Sequence, residues 1–198
     1  AIMLADLQDL DGEPWAAGPR AQLRKYLDDI SEEGYVPRLS FESEFYYTRE
    51  TDDGETVPYD DTTCFATEGM QSAHDPILDT VDALKAQGMG LSAYYPEYGP
   101  GQQELVVEHD DGVAASDSQI LFKETVQAVA DAHGIGASFR PTPFDGLPGN
   151  GCHIHLSVWR EGENVLYDPD DGGRYPLSDA GRHFVGGLLD HMKALTAI

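Results

Sequence analysis

Apolar and polar residues alternate along this chain with two different periods. After Gly18 and Pro19, Leu23, Tyr26, Leu27 and Ile30 recur at steps of three and four until Gly34, which predicts a helix opened by proline and stopped by glycine. Arg38 to Tyr47 changes to a period of two. Leu39, Phe41, Phe45 and Tyr47 fall on one face and Ser40, Glu42, Glu44 and Tyr46 on the other, as in a half-buried strand. A second helix opens at Asp75 and Pro76, places Ile77, Leu78, Val81 and Leu84 on one side, and closes at Gly88. Extended segments follow at Leu91 to Tyr95 and Gln103 to Glu108, separated by a turn from Tyr98 to Gly101. A third helix, Asp117 to His133, turns Phe122, Val126, Val129 and Ala130 inward, and Ile135 to Arg140 returns to strand. His153 to Trp159 alternates again, with His153, His155, Ser157 and Trp159 opposite Ile154, Leu156 and Val158. A last helix from Ser178 carries Phe184, Val185, Leu188, Leu189 and Met192, and Ile2 to Leu7 reads as a short first strand.

Composition narrows the function classes. The 198 residues allow one sizeable core, and no segment approaches the roughly 18 uninterrupted apolar residues of a membrane helix. The first residues turn acidic after four apolar positions and so lack the zones of a secretory signal. Cys64 and Cys152 form neither a CxxC pair nor a disulfide framework, which fits a reducing, cytoplasmic setting. With 36 acidic against 12 basic residues the formal net charge is -24, a surface that repels nucleic-acid phosphates and anionic membranes. Because the acid is dispersed (DDGET, YDDTT, EHDDG, DPDDGG), the expectation is a salt-adapted, halophilic surface rather than an acidic tail.

That charge bears on the candidate chemistry. Glu42 and Glu44 project from the same face of one strand, and parallel anions are costly to hold together unless a hard divalent cation such as Mg²⁺ or Mn²⁺ lies between them. The alternative is a solvated face, common in so acidic a chain. Glu97 and Glu104 flank the glycine-proline turn, which can aim both carboxylates at one point. GNGCHIHLS sets a glycine-rich loop before a strand presenting His153 and His155 on one face, imidazole being a frequent ligand beside carboxylates. His74, His109, His183 and His191 match no ligand pattern; His133 ends a helix, where a cation suits the dipole. DPDDGG reads as a turn, Trp159 as core, and Tyr94 and Tyr95 as packing or pocket lining.

The ordered set FESEF, PEYGPGQQE, SDSQILFKETVQAVADAHGIGASFRPTPF and GNGCHIHLS resembles the catalytic domain of the glutamine synthetase family over nearly the whole chain. The resemblance implies an α+β fold, a mainly antiparallel curved sheet forming an open half-barrel backed by helices. It implies an ATP- and Mg²⁺- (or Mn²⁺-) dependent ligase of nitrogen metabolism. Such an enzyme phosphorylates the γ-carboxylate of glutamate and condenses it with ammonia or an amine, in a ring-shaped, dodecamer-like homo-oligomer. By motif position, Glu44, Glu97 and Glu104 would hold one metal and Glu42 with His153 the other. His155 and Ser157 would contact the nucleotide, and Gly149 with Glu44 the glutamate substrate.

The chain also departs from the family pattern. Ser92 stands where a nucleotide-contacting glutamate is usual, Tyr95 and Pro96 replace paired histidines, and the loop reads Leu-Pro-Gly-Asn-Gly in place of Asn-Gly-Ser-Gly. These features suggest a divergent branch; such branches include enzymes that glutamylate larger amines, so the acceptor is ammonia or an amine. Ser92 and Pro148 also suit a second reading, a catalytically inactive homologue acting as scaffold or sensor. On the resemblance, residues 1–16 are the last strand of, or link from, a preceding N-terminal domain, and residues 17–198 the first part of the catalytic domain. Further arginines and a glutamate ligand are expected after Ile198, so the chain alone is expected to bind metal weakly and to show no ligase activity.

Overall fold

The computed structural model describes residues 2–196, so the outer ends of both expected domain spans lie outside the described residues. In chain order the elements are α1 (Pro19–Glu32), β1 (Val36–Glu50), β2 (Thr56–Pro58), α2 (Thr67–Ser72), α3 (His74–Ala86), β3 (Leu91–Pro96), β4 (Gln102–Val107), β5 (Asp110–Asp111), α4 (Gly112–Ala132), β6 (Gly136–Ser138), β7 (Cys152–Arg160), β8 (Glu163–Asn164) and α5 (Asp179–Leu195). They fall into two compact units, one built mainly on Leu39–His155, the other combining Asp6–Arg38 with the chain from Leu156 onward.

In the first unit β1 is the axis of the sheet. β4 lies antiparallel along one side, with Glu42 opposite Val106 and Glu44 opposite Glu104. β3 pairs with the outer edge of β4, and β7 adjoins the other side of β1. β6 and β2 pair with the far end of β1, through Tyr46↔Ser138 and Thr48↔Pro58. The odd-numbered side chains of β1 do what their period predicts: Phe45 and Tyr47 join Ile77 and Leu84 of α3, Leu105 of β4, and Phe122, Val126 and Ala130 of α4 in one buried cluster. Phe45 packs edge-on to Phe122 at 6.3 Å between ring centres. Full burial of each such side chain contributes roughly 1.5–3 kcal/mol.

Several expectations are corrected here. Ile2 to Leu7 forms no strand; Asp9 instead accepts the N–H groups of Asp11 and Glu13, and Trp15 N–H returns to Leu7 O at 2.9 Å, closing a local loop. α4 begins five residues before Asp117, because Asp111 caps it by accepting Ala114 N–H at 3.0 Å. The short α2, invisible to periodicity, leads through Ala73 into α3. Tyr46, on the face of Glu42 and Glu44, is fully buried, its ring edge-on to Phe144 and its hydroxyl donating to Pro148 O at 2.8 Å. Ile154 is 59% exposed and Leu156 37%, so the face of β7 opposite its histidines is not a core face among the described residues.

The second unit contains α1, the end of β7 with its partner β8, and α5. Arg160 lies over the Tyr35 ring at 5.0 Å, and Ser178 caps α5 by accepting Gly181 N–H at 3.0 Å. The helices form where their periodicity places them, but their stripes are not core. α1 buries none of its residues, and α5 buries only Gly181 while Val185, Leu188, Leu189 and Met192 stay exposed. Amphipathic spacing specifies a helix without supplying the layer that covers it.

Candidate functional site

Most of the residues singled out by motif lie on β1, β4 and the first part of β7, or in the turn and loop that adjoin them, in the first unit. Alternation along β1 turns Glu42 and Glu44 away from the Phe45–Tyr47 core, and the register with β4 sets Glu44 directly opposite Glu104. β3 and β4 meet at the turn from Tyr98 to Gly101, and Glu97 closes its base with its N–H donating to Gln102 O at 2.8 Å. Asp60 holds that turn from outside by accepting Gly101 N–H at 2.8 Å, along with the hydroxyls of Thr62 and Ser72. Gly99 is required there, because a Cβ would lie 1.8 Å from the Tyr46 hydroxyl.

Glu104 is 7% exposed and surrounded by acid. Burial first, then its hydrogen bond with Glu97 and the charges of Glu42, Glu97 and Glu44, push its carboxyl up to about 7. Glu42 goes the other way. Its hydrogen bond with His155 is the main cause holding it below the ordinary carboxylate range, against the opposing effect of burial and with help from His153. The distances are 3.0 Å from His155 Nε2 to Glu42 Oε1 and 3.3 Å from His153 Nδ1 to Glu42 Oε2.

Glu44 is held between strand and loop. Its Oε2 accepts Gly151 N–H at 3.0 Å and the Gln102 side-chain amide at 2.9 Å. A Cβ on Gly151 would lie 2.8 Å from Glu44 Oε1, and one on Gly149 would lie 2.6 Å from Pro141 O, so both glycines permit close approach. Between them Asn150 donates to Ser138 O and Arg140 O, both at 2.9 Å, tying the loop to the chain after β6.

Glu42, Glu44, Glu97, Glu104, His153, His155 and Gly149 are thus brought into one neighbourhood of the first unit. Ser157 belongs to the second, where its hydroxyl accepts Trp159 Nε1–H at 2.9 Å. Tyr94 is packing: its hydroxyl donates to Gln103 Oε1 at 2.7 Å and its ring lies against the core. Tyr95 is exposed and opposite Glu104. Ser92 marks an irregularity in the β3–β4 register between Leu91 and Ala93. His133 ends α4 and meets Asp79 Oδ2 at 2.8 Å.

The donor set, four carboxylates and two imidazoles, is of the type that binds hard divalent cations, and the charge gathered on buried Glu104 is of the kind a cation relieves. As they stand, the side chains are held in pairs. No three His, Cys, Asp or Glu residues among the described residues are placed to enclose an ion.

Comparison with known proteins adds to this geometry. Residues 16–198 match the family described as glutamine synthetase, catalytic domain. The glutamine synthetase of Pyrococcus abyssi is 36% identical over 188 residues, which is 95% of this chain and 42% of that protein. A crystal structure described as a novel glutamine synthase homolog matches with a TM-score of 0.88 at 32% identity, over 97% of this chain and 43% of that one. GmaS in complex with ADP matches with a TM-score of 0.85 at 31% identity, over 95% of this chain and 44% of that one. The chain spans about two fifths of the length of these relatives. The likenesses establish the expected fold class, a curled antiparallel sheet forming a half-barrel with helices. No helix among the described residues is long and apolar enough to cross a membrane.

Proposed function

The chain belongs to the glutamine synthetase family, by its catalytic domain, and on that premise we propose that the protein carrying it is an ATP-dependent carboxylate-amine ligase. It phosphorylates the γ-carboxylate of glutamate and condenses the product with ammonia or an amine. The observation that carries this reading is the convergence of Glu42, Glu44, Glu97 and Glu104 on one side of β1 and β4, with Glu104 buried among the other three. Gathering three carboxylates around a buried fourth costs the fold free energy, since like charges and burial both disfavour the ionised form. Their position is explained if they hold Mg²⁺ or Mn²⁺, with Glu44, Glu97 and Glu104 serving one ion and Glu42 with His153 the other. Bound there, such cations neutralise charge between a phosphate and a carboxylate that would otherwise repel as the new bond forms.

This chain's own residues have separate tasks. Gly151 N–H and the Gln102 amide fix the Glu44 carboxylate, and Gly149, whose carbonyl accepts from the same Gln102 amide, would lie with Glu44 beside the glutamate substrate. Nucleotide binding is supported by the ADP that the related GmaS binds, and by motif position His155 would contact the nucleotide. Ring assembly and a cytoplasmic setting accompany the same reading.

The test is calorimetric titration of Mn²⁺ and then ATP into the full-length protein, beside a Glu42→Gln, Glu104→Gln double variant. It is followed by phosphate release with glutamate and a panel of amines. Saturable Mn²⁺ binding lost in the variant, with glutamate-dependent phosphate release in the wild type, is the expected result. Folded protein that binds neither Mn²⁺ nor ATP would favour the scaffold reading, to which Ser92 and Pro148 already lend weight.

A further inference from the structure

Gln102 is 1% exposed, lies on the same face of β4 as Glu104, and carries none of the roles assigned above as ligand or substrate contact. Its side chain is nevertheless where three parts of the site meet. The amide nitrogen donates within reach of three acceptors: Glu44 Oε2 at 2.9 Å, Gly149 O at 3.0 Å and Asn150 Oδ1 at 3.1 Å. The amide oxygen accepts Gly99 N–H at 2.9 Å, and the backbone carbonyl accepts Glu97 N–H at 2.8 Å. Three oxygens on one side and an N–H on the other admit only one orientation of the amide.

We infer that Gln102 is a positioning residue, one that sets the Glu44 carboxylate, the Gly149–Gly151 loop and the turn carrying Glu97 in fixed relation to one another; the inference rests on the ligase reading for its catalytic meaning. Of the three acceptors one is Glu44 Oε2 and two, Gly149 O and Asn150 Oδ1, belong to the loop, so one hydrogen on each side ties the loop to Glu44. Glutamine suits the place because the alternatives fail for definite reasons. A carboxylate would face Glu44 and the Gly149 carbonyl with like charge. An apolar side chain of the same length would leave Gly99 N–H without its acceptor and Glu44 Oε2 with Gly151 N–H alone. Groups that orient ligating carboxylates typically change metal affinity by 10–100-fold when removed.

The experiment compares wild-type full-length protein with Gln102→Met, which keeps length and shape. A Gln87→Met variant is the control, because it loses a hydrogen bond of similar kind, from the residue that follows α3 to Thr125 Oγ1 of α4, outside the site. Amide hydrogen exchange at residues 149–151, Mn²⁺ affinity, and KM for glutamate and for ATP are measured on all three. The expected result for Gln102→Met is exchange at Asn150 and Gly151 faster by about tenfold or more and Mn²⁺ affinity lower by about tenfold. KM for glutamate rises while that for ATP stays within about twofold, and the control matches wild type. Should Gln102→Met not fold, Gln102→Glu keeps the acceptor for Gly99 N–H and is expected to open the same loop by charge. Folded Gln102 variants with unchanged exchange and unchanged Mn²⁺ affinity overturn the inference, whatever the activity. A wild-type protein without ligase activity would sink the ligase reading and leave the exchange result to decide on Gln102.

Discussion

Replacing Glu104 by glutamine separates stability from function at one position. Its carboxyl is displaced from 4.5 to about 7, chiefly by burial and then by Glu97, Glu42 and Glu44. A group whose folded pKa is raised contributes fully below its unfolded value and loses that contribution as pH rises through the folded one. Without metal, therefore, the wild type weakens between about pH 4.5 and 7. At about 1.4 kcal/mol per pH unit, the ionised carboxylate costs the fold up to about 3 kcal/mol at pH 8, less whatever is recovered by sharing a proton with Glu97. Glutamine retains the shape and a hydrogen bond and removes the charge. Thermal unfolding at pH 8 in EDTA is expected to show Glu104→Gln melting higher, by about 2–4 °C for each kcal/mol gained. With Mn²⁺ the order reverses, since a ligand that binds only the folded state raises its stability in proportion to affinity, and the variant lacks a ligand. A variant that melts lower than wild type in EDTA would refute the electrostatic account. One that gains as much from Mn²⁺ as wild type would refute the assignment of Glu104 as a ligand.

Other positions give sharp expectations. Burial pushes the Tyr47 phenol up to about 12, with the nearby Thr80 hydroxyl pulling partly back. The Tyr47 oxygen has no hydrogen-bond partner among the described residues, Thr80 donating instead to Pro76 O. Tyr47→Phe is thus expected to be neutral or stabilising by about 1 kcal/mol at pH 7. It should also abolish an alkaline loss that in the wild type is absent below pH 10 and complete above about 12; urea unfolding at pH 7 and pH 11 checks both, and a clear loss at pH 7 would contradict it. Gly151→Ala forces a Cβ to 2.8 Å from Glu44 Oε1, so the carboxylate must move, and Mn²⁺ titration should show affinity reduced by about tenfold. With a net charge of -24, the melting temperature should climb steeply as NaCl rises from 0.1 to about 1 M, where the Debye length falls to about 3 Å; a flat profile would remove the case for a salt-adapted surface.

How much of this was legible in the sequence depends on the kind of information each feature needs. The two periods specify β1, β4, β7 and the long helices, because backbone geometry turns spacing into faces, and the Phe45–Tyr47 core follows from that alone. Helix ends follow where a cap precedes the apolar stripe directly, as at Ser178, and shift where the capping residue lies upstream of the stripe, as Asp111 does for α4. The carboxylates were legible for the same reason: Glu42, Glu44 and Glu104 share a parity that no short shift of register can undo without exposing the core.

Parity says which way a side chain points and nothing about what comes to meet it. Periodicity places Tyr46 on the face of Glu42 and Glu44 without showing that the loop through Phe144 and Pro148 covers it, and gives α1 and α5 apolar stripes without showing that they stay open. Gln102 went unnoticed for a related reason. Its parity with Glu104 was available, but a glutamine draws attention only once three separate segments are seen to converge on its amide, and convergence of segments more than forty residues apart is a property of the fold. A site of this type is therefore readable in two stages. The charged residues are visible from spacing, because burying them carries a cost that demands a reason, and the neutral residues that hold them become visible only when the chain has closed around them.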